Sequence, residues 1–310
     1  MTPETALVIV RALVYADLLT LFGLTLFGLY GLGTAEEAIE AVGLRFRTGV
    51  LAILGLAASL LHIISMAAAM TGAESLADTR AAVVSLVVAD GIGPAWLLRM
   101  GALVLVLVVL AALAPPFRPR LTLGLIAGCS AVALATLAWA GHGAMSSGAA
   151  GWLHLVADIL HLLAAGGWIG ALLALLILLF DRPTAIDRAR IVRLEAALRD
   201  FSSTGTILVG TILVTGIVNV GSVVGWGHVA ALPQSAYGRL LIAKVGLFLL
   251  MLGLASANRF WLSPALGRAR HETEVRAALQ SLRFSLAFEM TGALLVLMLV
   301  AALGTLAPPR

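Results

Sequence analysis

Eight long apolar segments, separated by shorter polar stretches, dominate the sequence pattern. Each is about 20 residues or longer, which is enough for a helix to cross the roughly 30 Å hydrocarbon layer of a membrane. Backbone polar groups inside lipid must be hydrogen-bonded within the protein, and a continuous apolar segment achieves this as a helix. The pattern therefore predicts an all-α, eight-helix membrane bundle. The predicted transmembrane helices cover residues 5–31, 47–71, 94–114, 121–141, 149–180, 201–226, 239–261 and 283–307.

Two further segments have a helical pattern but are not predicted to cross the membrane. Residues 79–90 are too short to cross alone, so we expect an interfacial or partly re-entrant helix packed on the outer face of the bundle. In residues 185–198 isoleucines and leucines would lie on one face of a helix and arginines on the other. This pattern predicts an amphipathic helix on the lipid surface at the cytoplasmic side. An ordinary basic loop is the alternative interpretation of this second segment.

The composition agrees with a polytopic membrane protein. The 310 residues are 61% hydrophobic and 12% charged, with a mean hydropathy of +1.06, far outside the range of soluble globular domains. We therefore expect one membrane domain over residues 1–310. The single cysteine, Cys129, lies in a predicted helix and excludes both a disulfide framework and a thiolate metal cluster within one chain.

Basic residues collect in the loops on one face of the predicted bundle. The formal charge is +4, but the arginines lie between apolar segments, so they indicate membrane topology and not a nucleic-acid partner. By the positive-inside rule this face is cytoplasmic, which puts both termini on the external, periplasmic face. The loops concerned are residues 32–46, 115–120, 181–200 and 262–282.

Three polar residues in the fifth predicted helix are the first candidates for chemistry. His154, Asp158 and His161 are spaced by four and three residues, which puts them on one stripe of a helix. Polar side chains on one stripe inside a membrane indicate a pathway or a site. Asp158 either binds a metal itself or orients a neighbouring histidine.

A second set of candidates lies in the second predicted helix. His62, Met66 and Met70 follow one another once per turn, with His62 roughly 12 Å below Met70 and comparable in depth to the stripe of the fifth helix. We expect the two sets to face one another. The alternative is that His62 makes an ordinary interhelical hydrogen bond and the methionines fill gaps.

The loop between the fourth and fifth helices adds two further candidates. His142 and Met145 are predicted to form an external loading site, although a loop histidine can also simply face water. Imidazole, thioether and one carboxylate form a ligand set that suits copper, with Cu(I) favoured over Cu(II) and hard cations disfavoured. Zinc is an alternative ion, but it would not need the methionines.

Other polar residues in the predicted helices have less specific interpretations. Asp17 and Glu289 are expected to pair with basic residues such as Arg11, Arg99 or Lys244, with proton transfer as the alternative. Asn219 is expected to form a helix–helix hydrogen bond. No Ser-His-Asp arrangement, HExxH helix or ATPase motif is present in the sequence, so we predict that the protein is not an enzyme.

Four motifs in the second half of the chain resemble the copper resistance protein D family, of the CopD/PcoD type. Residues 140–307 are the part most similar to the copper resistance D domain, whereas the first half resembles the family in its helix pattern and in His62. The motifs are Gly141-His142, the segment His161–Gly170, the segment Tyr237–Lys244 and the segment Asn258–Leu266.

The resemblance implies a bacterial inner-membrane protein that takes up periplasmic copper toward the cytoplasm. It also implies a separate periplasmic copper carrier of the CopC type as a partner. Arg239, Lys244, Asn258 and Arg259 match family positions. We expect structural roles for them, the first two near the outer interface and the last two capping the inner end of the seventh helix.

These observations combine into one leading hypothesis and two rivals. In the leading hypothesis, His142 and Met145 capture copper, Met66, Met70 and His154 relay it, and His62, Asp158 and His161 form the deep site. The first rival is a b-type haem protein in which His62 pairs with His161 or His154 as axial ligands. The second is a copper sensor or scaffold that does not transport.

Overall fold

The computed structural model describes residues 2–32, 43–72, 75–88, 91–112, 119–140, 148–180 and 188–309, and within these ranges the chain is helical, without strands. Short 3₁₀ segments follow α5 and α7, and a π-helical turn, Asn258–Leu262, joins α8 to α9. The helices are α1 Pro3–Tyr30, α2 Leu44–Thr71, α3 Leu76–Val88, α4 Ile92–Ala112, α5 Pro119–Ala135, α6 Gly148–Phe180, α7 Arg188–Val223, α8 Ala236–Ala257, α9 Ser263–Arg268 and α10 Glu272–Leu303.

Eight of the described helical segments are long and apolar enough to cross a membrane, which confirms the predicted number and makes the protein a multi-pass membrane protein. The segments begin with α1, α2, α4, α5, α6, α7, α8 and α10, and α8 continues through the π turn into α9. The short helix predicted at residues 79–90 is also present, as α3. It packs through Leu86 against Ile63 and Met66 of α2.

The prediction of a separate surface helix at residues 185–198 is wrong. From Arg188 onward these residues form the first turns of α7, which continues without interruption to Val223. No proline or glycine occurs between Arg188 and Gly205, so nothing in the backbone stops the helix where the arginines end. In the same way α10 begins at Glu272, well before the predicted residue 283, and Glu274 closes a capping box with His271.

The described helix ends that flank the basic loops meet at one end of the bundle, which we call the basic end. Tyr30, Leu44 and Leu282 belong to one apolar cluster there. Two arginines of this end also hold neighbouring helices together through backbone carbonyls. Arg45 Nη2 donates to Leu110 O at 2.6 Å, and Arg283 Nε donates to Leu179 O at 2.9 Å.

Helix α6 lies at the centre of the bundle and packs against α1, α7 and α10. Its closest neighbour is α1, at a crossing made by glycines. A Cβ atom on Gly23 would lie 1.9 Å from the carbonyl oxygen of Gly166, and one on Gly170 would lie 2.2 Å from Gly23 Cα. The two backbones are therefore in direct contact, which only residues without a side chain permit.

Two charged residues of α1 are buried without the acid–base pairing expected from the sequence. Arg11 lies against the C-terminal end of α10, where a Cβ atom on Gly304 would be 2.1 Å from the Arg11 Nη1 atom. Helix C-termini carry partial negative charge, so this position suits a guanidinium. Asp17 packs against Gly55 of α2, and its two buried carboxyl oxygens have no hydrogen-bond partner among the described residues.

Candidate metal site

A cavity of about 160 Å³ lies at the end of the bundle opposite the basic end. We call it the histidine cavity. His154, Asp158 and His161 all line it, as their spacing along α6 predicts. Residues from four other elements complete its polar wall: Tyr15 of α1, Asn219 of α7, Tyr237 and Lys244 of α8, and Gly304 after α10.

The hydrogen bonding of His161 fixes which ring nitrogen is available to a ligand. His161 Nδ1 lies 2.9 Å from Thr215 Oγ1, and that hydroxyl donates its one proton to the carbonyl oxygen of Thr211 at 2.6 Å. This pairing favours the tautomer in which Thr215 Oγ1 accepts from His161 and Nδ1 carries the ring proton. In that tautomer Nε2 keeps its lone pair, in the neutral form of imidazole that binds metals.

Asp158 is held in the same cavity by a residue of α7. Asn219 Nδ2 donates to Asp158 Oδ1 at 3.3 Å, which confirms the helix–helix hydrogen bond expected for Asn219. Lys244 lines the cavity from α8 and is close enough to interact electrostatically with both Asp158 and His161. This lysine is therefore part of the cavity wall, whereas the sequence indicated a purely structural residue near the interface.

The histidine cavity continues along α6 into a larger cavity of about 410 Å³. The two share Asp158, His161 and Lys244, and the larger one extends to Trp168. The buried Met251 of α8 also lines it, which adds a thioether to the imidazole and carboxylate groups. A thioether, the soft donor type that Cu(I) prefers, thus lines the cavity that continues from the predicted stripe, and it comes from a residue that the sequence pattern did not single out.

The candidates on α2 line a different cavity, of about 10 Å³, which holds about one water-sized sphere. His62 and Met66 are both buried there, and His62 Nε2 has no hydrogen-bond partner. Arg99 forms another part of the wall and donates through Nε to Thr136 Oγ1 at 2.8 Å. Met70 is 69% exposed and does not line this cavity.

The two sets of candidates do not meet in the structure. Helix α1 packs extensively against both α2 and α6, whereas the described residues of α2 and α6 form no comparable contact with each other. Within the described ranges, no group of three or more His, Cys, Asp and Glu side chains is placed to hold a metal ion. His142 and Met145 lie outside the described residues. The assignment of all eight candidates as metal ligands therefore stays a prediction.

Two other positions differ from their sequence interpretation. Asn258 and Arg259 do not cap the end of a helix, because the π turn that begins at Asn258 carries the helix on to Arg268. Asn258 is buried and donates to Glu289 Oε1. The partner of Glu289 is thus an amide, where the sequence suggested Arg11, Arg99 or Lys244.

Eight long apolar helices and a cavity lined by imidazole and carboxylate groups define a polytopic membrane protein with a candidate metal site in its interior. Two family models match the chain: the N-terminal domain of copper resistance protein D-like proteins over residues 1–152, and copper resistance protein D over residues 195–303. The chain belongs to the copper resistance protein D family.

Two relatives are similar over much of their length. Copper resistance protein D of Pseudomonas syringae pv. tomato is 45% identical over 303 residues, which cover 96% of each chain. Inner membrane protein YebZ of Escherichia coli K12 is 29% identical over 216 residues, covering 70% of this chain and 69% of that protein. No solved structure matches the chain significantly. Family membership supports a role in copper resistance and copper handling.

Proposed function

We propose that the protein binds copper in the histidine cavity and carries it through the inner membrane toward the cytoplasm. The observation that supports the proposal best is His161: its Nε2 lone pair is left free by the bond to Thr215, in a cavity shared with His154 and Asp158. Neutral imidazole is a good ligand for copper, and the thioether of Met251 farther along favours Cu(I).

The distribution of arginines supports the proposed orientation of the bundle. The positive-inside rule predicts that the basic end is cytoplasmic, which puts the histidine cavity and both termini on the periplasmic side, where uptake would begin. One relative is named as an inner membrane protein, which supports a location in the inner membrane. A separate periplasmic carrier of the CopC type stays the predicted donor of copper, and the bilayer is the other partner.

The b-type haem alternative has less support. It needs two histidines on opposite sides of one porphyrin, and His62 would have to be one of them. The cavity beside His62 holds only about one water-sized sphere, and none of the α6 histidines lines it. A haem held between His62 and either His154 or His161 would have to displace α1, which packs against both helices.

Metal analysis and an absorption spectrum of the purified full chain test the proposal, together with uptake into proteoliposomes. We expect bound copper without a Soret band, and copper entry that exceeds that of protein-free liposomes. A stoichiometric Soret band with negligible copper would contradict the copper assignment. Copper binding without entry into the liposomes would instead favour the sensor or scaffold.

Replacing Thr215 with valine should weaken copper binding about tenfold, because the variant no longer accepts the Nδ1 proton and no longer fixes the tautomer of His161. Competition with a copper chelator measures the change. Thr215→Ser keeps the hydroxyl and should restore the affinity. Thr211→Val is the matched control, since Thr211 takes part through its backbone carbonyl. Equal affinities for Thr215→Val and the unmodified protein would rule out this role.

A further inference from the structure

A third polar cavity, of about 210 Å³, lies nearer the basic end than the histidine cavity. We call it the glutamate cavity. Trp168 of α6 lines both this cavity and the larger one that continues from the histidine cavity, so the two adjoin at this residue. Trp168 also packs edge-on against Phe248, with 5.8 Å between ring centroids. The polar residues of the glutamate cavity are Ser202 and Thr206 of α7, Ser256 of α8, Asn258 and Arg259 of the π turn, Ser263 of α9, and Glu289 of α10.

Glu289 is almost completely buried, with 1% of its surface exposed, and only one of its oxygens is hydrogen-bonded. Oε1 accepts from the side-chain amide of Asn258, and among the described residues Oε2 has no hydrogen bond of normal geometry. The same holds for Asn258 Oδ1 and for Trp168 Nε1, although the indole lies close enough to the carboxyl group of Glu289 to interact with it. An ionised carboxylate is strongly disfavoured in such a place unless a cation lies beside it, so without a cation the protonated acid is favoured.

The backbone at Asn258 explains how the amide reaches Glu289. In the π turn the backbone N–H of Ser263 donates to the carbonyl oxygen of Asn258, five residues earlier. This wider turn lets α8 continue into α9 while Asn258 stays inside the bundle, where it is 7% exposed. Single π turns within α-helices occur frequently at functional sites.

Few charged or titratable groups surround the carboxyl group of Glu289. Among the described residues that line the glutamate cavity, Arg259 is the other charged one, and its guanidinium donates to Ser202 O and Thr206 Oγ1 of α7. From α1, the phenol of Tyr30 packs against the same apolar cluster that Leu286 joins from α10. The described wall of the cavity contains no lysine.

We propose that Glu289 and Asn258, beside Trp168, form a second cation site, at which the carboxyl group of Glu289 releases its proton as a monovalent cation enters. The choice of Cu(I) as that cation rests on the proposed function. One carboxyl O–H bond breaks, the proton leaves to water at the basic end, and the cation takes its place beside the carboxylate. No electron is transferred, and the charge of the site is the same before and after.

The ligand chemistry suits a site from which copper is released. Carboxylate and amide oxygens are hard donors that hold Cu(I) less well than the imidazoles and thioether on the other side of Trp168. Transport requires binding that is weak enough for the ion to leave. A cation that passes Trp168 therefore leaves strong ligands and binds weaker ones. As it binds beside Glu289, the carboxyl proton is released to water at the basic end.

Infrared difference spectroscopy on the purified full chain tests this site directly, with Ag⁺ as a redox-stable probe beside Cu(I). We expect the band of a protonated buried carboxyl group to disappear when the cation is added. About one proton per cation at this site should be released into a weakly buffered solution. Glu289→Gln should abolish both signals while copper binding at the histidine cavity persists.

Two controls separate this carboxyl group from others. Asp17→Asn removes the buried acid of α1, and Glu272→Gln removes an exposed acid that pairs with Arg276. Both variants should behave like the unmodified protein. If Glu289→Gln does not fold, ¹³C-glutamate labelling of the unmodified chain gives the same answer, because the band must shift if it belongs to a glutamate.

The outcomes also separate this proposal from the proposed function. Copper binding and uptake with unchanged proton release in Glu289→Gln would overturn the second site and leave copper transport in place. A band that does not shift with the glutamate label would overturn it as well. Loss of the carboxyl band on adding Ag⁺ to a protein that takes up no copper would support the site and contradict the transport function.

Discussion

Replacing His161 with alanine should reduce the rate of copper uptake into proteoliposomes by more than about tenfold. Losing a coordinating imidazole should weaken copper binding at least as much as losing Thr215, the residue that orients this imidazole. His161 offers a free Nε2 lone pair and lies where the histidine cavity continues into the larger cavity. The alanine variant lacks the proposed nitrogen ligand at the junction from which the larger cavity extends to Trp168. Initial rates of copper entry, measured at equal protein density in the liposomes, give the comparison.

Two other histidines serve as matched controls for this result. His228 and His271 are exposed and line none of the cavities described above, so alanine at either position should leave uptake unchanged. The thermal midpoint in detergent shows whether His161→Ala is folded. Normal uptake by a folded His161→Ala protein would exclude the histidine cavity from the pathway. His62→Ala then tests whether the small cavity on α2 takes part.

The second large effect is expected on stability, at the crossing of α1 and α6. Gly170→Ala places a methyl group about where the backbone of Gly23 now lies, since a Cβ atom there would be 2.1 Å from the Gly23 carbonyl carbon. Both contacting groups are backbone, so the helices must separate. We expect a loss of about 1–3 kcal/mol or more, as for other overpacked cores. The thermal midpoint in detergent should fall accordingly.

Gly246→Ala is the matched control for the helix crossing. A Cβ atom on Gly246 would meet nothing within 4 Å, and this glycine also lies inside a spanning helix. Alanine there should be neutral or stabilising by up to about 1 kcal/mol, because it only lowers the conformational freedom of the unfolded chain. If Gly170→Ala and Gly246→Ala had the same effect on the midpoint, the contact between α1 and α6 would not be a source of stability.

The helices were predictable from the sequence because apolar length is read directly from the residues. The segment predicted at residues 149–180 is α6, Gly148–Phe180, and the one at residues 47–71 is α2, Leu44–Thr71. The prediction failed where a helix leaves the lipid. Arginines mark the edge of the hydrocarbon layer, but they are good helix formers, so α7 continues past them.

The candidate site was predictable only along a single helix. The spacing of His154, Asp158 and His161 determines their common face, and they do line one cavity. Residue spacing also estimates depth, but it contains no information on which helices are neighbours. The stripe on α6 therefore contacts Thr215 of α7 and shares a cavity with Met251 of α8, and α1 intervenes where His62 was expected. The spacing of Thr211, Thr215 and Asn219 was the one local signal that α7 carries a polar face.

The contact between Gly23 and the α6 glycines has a consequence for the order in which the protein is assembled. Helix α1 is synthesised before α6, and the partner that covers its glycine face follows only after four further helices, α2 to α5, have been made. Asp17 meets its neighbour Gly55 as soon as α2 is in place, whereas Arg11 lacks the helix end that it contacts until α10 is made. Insertion of α6 is thus the event that covers the glycine face of α1 and, at the same moment, brings His154, Asp158 and His161 into the bundle.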